Sequence, residues 1–123
     1  MKIKRLPDSE LEIMQALWKC DGPAKRSDME IHLDKDHPIA LTTLLTLLSR
    51  LSEKGFIKIE KQGRSSVYTP LICEHEYLSS QSRRFIDKIC GGNLSAFASA
   101  LADSGLTKEE LEELRELLKR DEL

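Results

Sequence analysis

At 123 residues, with 40% hydrophobic and 33% charged side chains, the chain has the balance of one small globular domain, or of a small domain with an appendage. No apolar run approaches the roughly 20 residues needed to cross a bilayer, and no apolar segment follows the basic Met1–Arg5, so a cytoplasmic protein is expected. The net charge of −2 is unevenly spread: residues 1–71 carry 12 Lys and Arg against 10 Asp and Glu (net +2), and residues 72–123 carry 7 against 11 (net −4). A strongly basic nucleic-acid binder is thereby excluded, but a mildly basic half beside an acidic tail is not.

A first helix is predicted to start at Asp8 or Ser9, where Ser9 and Glu12 have capping-box spacing. Leu11, Met14 and Trp18 recur on one face, flanked by Ile13 and Leu17, and Asp21-Gly22-Pro23 ends the run. A shorter helix is predicted from Ser27, with Glu30 as its box partner, burying Met29 and Ile31 or Leu33 and stopping before His37-Pro38. A third runs from about Leu41 to Lys54 and stops at Gly55, a residue suited to a left-handed helix exit.

Two short runs rich in β-branched and aromatic residues follow, Phe56–Lys61 and Ser65–Pro70, around Gln62-Gly63-Arg64. They predict a hairpin. Beyond Pro70 the pattern is helical again. Leu78, Ser82, Phe85 and Ile89 form one stripe, interrupted by Gly91-Gly92. Leu94, Phe97, Ala98 and Leu101 form another, and Thr107 with Glu110 caps a last helix carrying Leu111, Leu114, Leu117 and Leu118. The expected fold is mainly α with a small β-hairpin: a winged helix-turn-helix over residues 1–71 and a helical region over residues 72–123.

The third helix carries the most functional information. At 100° per residue, Leu41, Leu44, Leu48 and Leu51 share one side. Thr43, Thr46 and Arg50 share another, roughly 130° away, with Leu47 at its border and Thr42 adjoining. Threonine offers a hydroxyl and a methyl to base edges, and arginine forks to guanine or phosphate. On the hairpin, Lys58, Lys61 and Arg64 around Gly63 suit the phosphate backbone, which gives affinity rather than sequence reading. The plainer meaning of both groups is a solvated polar helix face and a hairpin charged against aggregation. Helix, helix, helix and hairpin in that order favour DNA.

Nothing comparable supports catalysis. Cys20, Cys73 and Cys90 form no C-x-x-C pair, so free thiols are expected rather than a disulfide framework or a zinc site. Cys73-Glu74-His75-Glu76 reads as a helix start, since neighbours 100° apart do not readily share one ion. There is no Gly-rich phosphate loop and no nucleophile elbow. No catalytic residue, metal or cofactor is expected. The main rival is a winged helix that binds protein and has no specific DNA affinity.

Glu10-Leu11-Glu12-Ile13-Met14 with Leu17-Trp18, Thr43–Leu51 followed by Lys54-Gly55-Phe56-Ile57, and Gly63-Arg64 with Val67–Leu71 together resemble the penicillinase-repressor family of BlaI, MecI and CopY. The resemblance continues through Phe85–Lys88 and Glu110–Leu114. It implies a homodimer that blocks transcription at a palindromic operator, its C-terminal helices interlocking with a partner through Leu78, Phe85, Ile89, Leu94, Phe97, Leu101, Leu111, Leu114 and Leu118. The helical stripes independently call for a partner chain, because three short helices bury little alone.

Two departures bear on induction. Copper-responsive members carry C-terminal C-x-C motifs, and no cysteine follows Cys90 here. Members of the β-lactam branch are inactivated by cutting an Asn–Phe bond, and Ala100-Leu101 stands at the corresponding place. A sensor or protease partner is left open, its identity unspecified by the sequence.

Overall fold

A computed structural model describes residues 3–120; Met1, Lys2 and residues 121–123, which belong to the N-terminal segment and acidic tail read above, lie outside it. The chain divides into two compact units, the first running through Gln81 and the second starting at Ser82. No helix of the described residues is long and apolar enough to cross a membrane.

The first unit begins with α1 (Asp8–Lys19), which buries Ile13, Met14, Ala16 and Leu17 and half-buries Leu11 and Trp18. The expected Ser9–Glu12 box does not form. Pro7 occupies the cap position without a side-chain hydrogen bond, and Ser9 lies inside the helix. Without a side-chain cap, the first turn is favoured by Asp8 and Glu10, which place negative charge at the positive end of the helix. Asp21, in the left-handed region at φ 55°, ends the segment with Gly22 as predicted.

The two-residue strand β1 (Ala24–Lys25) follows, then α2 (Arg26–Glu30). β1 is a feature the sequence pattern did not predict, being too short to carry a period. At the start of α2 the partners also differ from those expected: Asp28 Oδ2, not Glu30, accepts from the backbone N–H of Lys25 at 3.0 Å. Only Met29 of this helix is buried; Ile31 is exposed and Leu33 partly buried.

α3 (Leu41–Glu53) packs on α1 through Leu44, Leu47, Leu48 and Leu51. Its end is a Schellman motif: the N–H of Phe56 donates to the Leu51 carbonyl (2.9 Å), that of Gly55 to Ser52 (3.1 Å), and Gly55 takes φ 81°. Leu51 and Phe56, both buried, supply the apolar contact that accompanies this motif. The chain is thus turned directly into β2 (Ile57–Gln62) and β3 (Ser65–Pro70). Gln62 pairs with Ser65 across the two-residue turn Gly63-Arg64, where Gly63 at φ 65° supplies the positive φ that a tight hairpin requires. The antiparallel sheet has the order β1-β3-β2, with Ala24 opposite Tyr68 and Ile59 opposite Tyr68 on the other side.

α4 (Glu74–Arg84) contributes to the first unit through Tyr77. The Tyr77 ring sits 5.9 Å from that of Trp18 and 5.8 Å from that of Phe56, and its hydroxyl accepts from the buried Leu6 N–H at 2.9 Å. Trp18 Nε1–H donates to the Ile72 carbonyl at 2.9 Å. This aromatic cluster explains why the compact unit continues ten residues past Leu71. The run Cys73–Glu76 caps α4: the Glu76 carboxylate accepts from the Cys73 N–H, and the Glu76 N–H points to Cys73 Sγ. The donated backbone hydrogen bond holds the Glu76 carboxyl below its usual range. Among the described residues no three His, Cys, Asp or Glu side chains are grouped to hold a metal ion.

In the second unit, a π-helical turn (Phe85–Ile89) closes with Cys90 N–H on the Phe85 carbonyl, and Arg83 pairs with Asp87. α5 (Leu94–Ala102) is capped by Asn93, and α6 (Lys108–Lys119) by the predicted reciprocal Thr107–Glu110 box. Phe85 and Phe97 stack edge-on at 5.7 Å. No described residue of this unit is fully buried.

Tyr77→Phe keeps the ring and removes the hydroxyl, leaving the Leu6 N–H buried without a partner. The expected loss is about 1–2 kcal/mol in urea denaturation, and an unchanged midpoint would show that this contact adds nothing.

Candidate nucleic-acid interface

The leucine stripe decides which side of α3 is bare. Leu44, Leu47, Leu48 and Leu51 are 0–5% exposed, and Thr42, Thr43, Thr46, Ser49 and Arg50 are all exposed. Two leucines differ from the sequence expectation. Leu41, expected in the buried stripe, is 50% exposed. Leu47, expected at the DNA-facing border, is 5% exposed and part of the core. Both differences have one cause: the helix is rotated so that the stripe centres between Leu44 and Leu51, where α1 meets it. Leu47 contributes only its edge to the surface and is a packing residue rather than the base-contacting one expected from the sequence.

Thr42, Thr43, Thr46 and Arg50, with that edge of Leu47, line one shallow depression of about 230 Å³. Thr46 Oγ1–H donates to the Thr42 carbonyl at 2.9 Å. This fixes the Thr46 rotamer and leaves its oxygen as an outward acceptor beside its methyl group. Among the described residues, no carboxylate lies within 4.0 Å of the Arg50 guanidinium. Its five donors remain available to an incoming acceptor.

The hairpin places its three predicted cations differently from one another. Lys58 is 3.5 Å from Glu60 on the same strand, an exposed pair of little energetic weight. Lys61 and Arg64 are exposed near the turn and make no ion pair among the described residues. Arg64 also borders a second cleft, a notch of about 240 Å³ shared with Lys25, Arg26, Ser27, Leu45, Ser65, Ser66 and Tyr68. Lys25, Arg26 and Leu45 were not foreseen as site residues. The adjacent Lys25-Arg26 was a visible basic pair, but only the β1–β3 pairing brings it to the hairpin.

A further unforeseen element holds α3 from behind. Glu10 is 2% exposed, and its carboxylate accepts from Lys54 Nζ at 2.5 Å. The pair ties the start of α1 to the C-terminal end of α3, where a cation is also favoured by the helix dipole. The spacing of 44 residues gives no sequence signal for it.

Three helices, a β-ribbon and an exposed polar face on the third helix define a winged helix-turn-helix. The chain matches the family model described as Penicillinase repressor over residues 6–120. It is 33% identical over 118 residues to the penicillinase repressor of Bacillus licheniformis, covering 95% of this chain and 91% of that protein. A solution structure of the DNA binding domain of the repressor BlaI is similar at TM-score 0.52 and 37% identity, over 63% of this chain and 94% of the other. The B. licheniformis BlaI monomeric form in complex with the blaP half-operator is similar at TM-score 0.50 and 37% identity, over 62% and 92%. The chain belongs to the penicillinase repressor family.

Lys54→Met removes the only charge within reach of buried Glu10 among the described residues. A buried carboxylate left without its partner is strongly destabilising, and the partly exposed Lys54 screens some of that effect, so about 2 kcal/mol is expected in chemical denaturation. Stability equal to that of the unaltered chain would remove the pair from the account.

Proposed function

We propose that this protein is a homodimeric, DNA-binding transcriptional repressor that recognises a two-fold operator through α3 and the hairpin. The observation that carries the proposal is the bare threonine-and-arginine face of α3, held outward by the buried leucine stripe behind it. A helix so mounted fits the major groove, with Thr42, Thr43, Thr46 and Arg50 against base edges and phosphates. Lys58, Lys61 and Arg64 supply the backbone contacts that bring salt dependence. The similarity to a BlaI form bound to a half-operator supports the same use of the corresponding region here.

Dimerisation is the second half of the reading. Leu78, Ile89, Leu94 and Leu118 are more than half exposed, and Phe85 is exposed at 39%. Phe97, Leu101, Leu111 and Leu114 are only partly buried. Ala98, Leu101, Leu111, Leu114 and Leu118 line an open apolar trough of about 420 Å³. Leu78 aside, these residues stand on helices with no buried residue among those described, and that much apolar surface is stabilised by a second copy. On this reading residues 1–71 with the start of α4 bind DNA and the remainder dimerises. Action is through binding rather than catalysis, in the cytoplasm, where the DNA is. Two-fold symmetry then places the two α3 helices about one DNA turn apart, roughly 34 Å.

Arg50→Ala is expected to weaken binding to the protein's own upstream DNA by at least about 1 kcal/mol, with a shallower salt dependence, in gel-shift or anisotropy titrations. Undiminished affinity would remove that face from the interface, as a winged helix that binds protein would require. Leu114→Asp is expected to convert the dimer to a monomer in sedimentation velocity. A dimer that survives the change would place the contact elsewhere.

A further inference from the structure

The core of α3 uses four of its six leucines and leaves two on the surface. Leu45 is 43% exposed in the middle of the helix, one turn before the bare Ser49 and next to Thr46. Its side chain forms one wall of the notch whose other walls carry Lys25, Arg26 and Arg64, with Ser66 and Tyr68 at its base strand. Arg26 keeps only Nε on Glu30, at 3.1 Å, and both groups are about half exposed. Leu45 lies outside the buried core and beside three cations. It has a use against a nucleic acid, whose backbone is anionic and whose major groove displays one apolar feature, the thymine 5-methyl group.

The notch lies between the helix that enters the major groove and the hairpin that reaches past it. A DNA strand dividing two grooves must therefore pass this notch, its phosphates facing Lys25, Arg26 and Arg64. Base edges inside that strand then meet the flank of α3 that carries Leu45. We propose that Leu45 is a specificity-determining residue that reads a thymine methyl group in each half-site, with Lys25, Arg26 and Arg64 fixing the adjoining backbone. The proposal rests on the operator-binding reading above and adds to it which base that flank of α3 selects. Arg50 and Thr43, on the opposite flank of α3, have no part in this contact.

The test uses the full chain and the duplex it enriches from a random pool, resynthesised with one thymine at a time replaced by deoxyuridine, which lacks only the methyl. One position per half-site is expected to lose about fourfold in affinity, the effect of burying about one methyl group. Leu45→Ala, at an exposed site in a helix where alanine is favourable, is expected to fold and to abolish that loss while sparing the effects of other substitutions. Leu45→Met, which keeps an apolar tip, is expected to retain it. If every deoxyuridine duplex loses the same affinity with Leu45→Ala as with the unaltered chain, or none loses any, the assignment of Leu45 is overturned while operator binding stands. If no duplex is enriched and affinity does not fall with salt, the repressor reading fails and this inference with it.

Discussion

The constraint on which the rest of the molecule depends is the seating of α3 on α1. Four leucines at positions 44, 47, 48 and 51 can be buried only if the opposite side of the helix is turned to solvent, because a helix has one apolar stripe to hide. Burying a leucine side chain contributes about 1.5–3 kcal/mol, so rotating this helix even a third of a turn would forfeit several such contributions. The exposed face of α3 is therefore held in one orientation by the packing behind it rather than by described residues in front of it. Its polar residues are held in place by what lies behind them.

The C-terminal end of that helix is anchored twice in ways that serve the same arrangement. At the C-terminal end, Gly55 and the two Schellman hydrogen bonds send the chain straight into β2, so hairpin and helix share a fixed angle. The Glu10–Lys54 pair fastens the same end to α1. The buried Tyr77 hydroxyl and the Trp18 indole then join the N-terminal segment, α1 and the residues after β3 around one aromatic cluster. Electrostatics follow the packing. Arg50 on α3 and Lys61 and Arg64 on the hairpin make no ion pair among the described residues, whereas the carboxylates of Asp28 and Glu76 are engaged at helix starts.

Much of this was legible in the sequence. The helices other than α2, the hairpin with its Gly63 turn, the Gly55 exit and the Thr107–Glu110 cap carry local signals that the structure follows, but α2 ends at Glu30, short of the expected stop before His37-Pro38. What was not legible depends on contacts distant along the chain. Leu41 and Leu47 exchange roles because the orientation of α3 is set by α1, and periodicity alone locates an apolar stripe only to within a residue or so. β1 exists only because β3 is there to pair with it. The Ser9 box is lost because the helix starts at Asp8, too early for Ser9 to cap it, and the Ser27 box because Asp28 takes the Lys25 amide instead. The notch at Leu45 is likewise invisible in one dimension: its walls come from segments some 20 and 40 residues apart in the chain.

The central claim is that the outward face of α3 meets DNA in the major groove. It is tested most directly by following backbone amide resonances of the full chain as the duplex it prefers is added. The account predicts that the largest changes fall on Thr42, Thr46, Ser49 and Arg50, with a second group at Lys61 to Ser65, while the amides of α5 and α6 change little. Changes confined to α5 and α6, with those four residues unmoved at saturation, would contradict it.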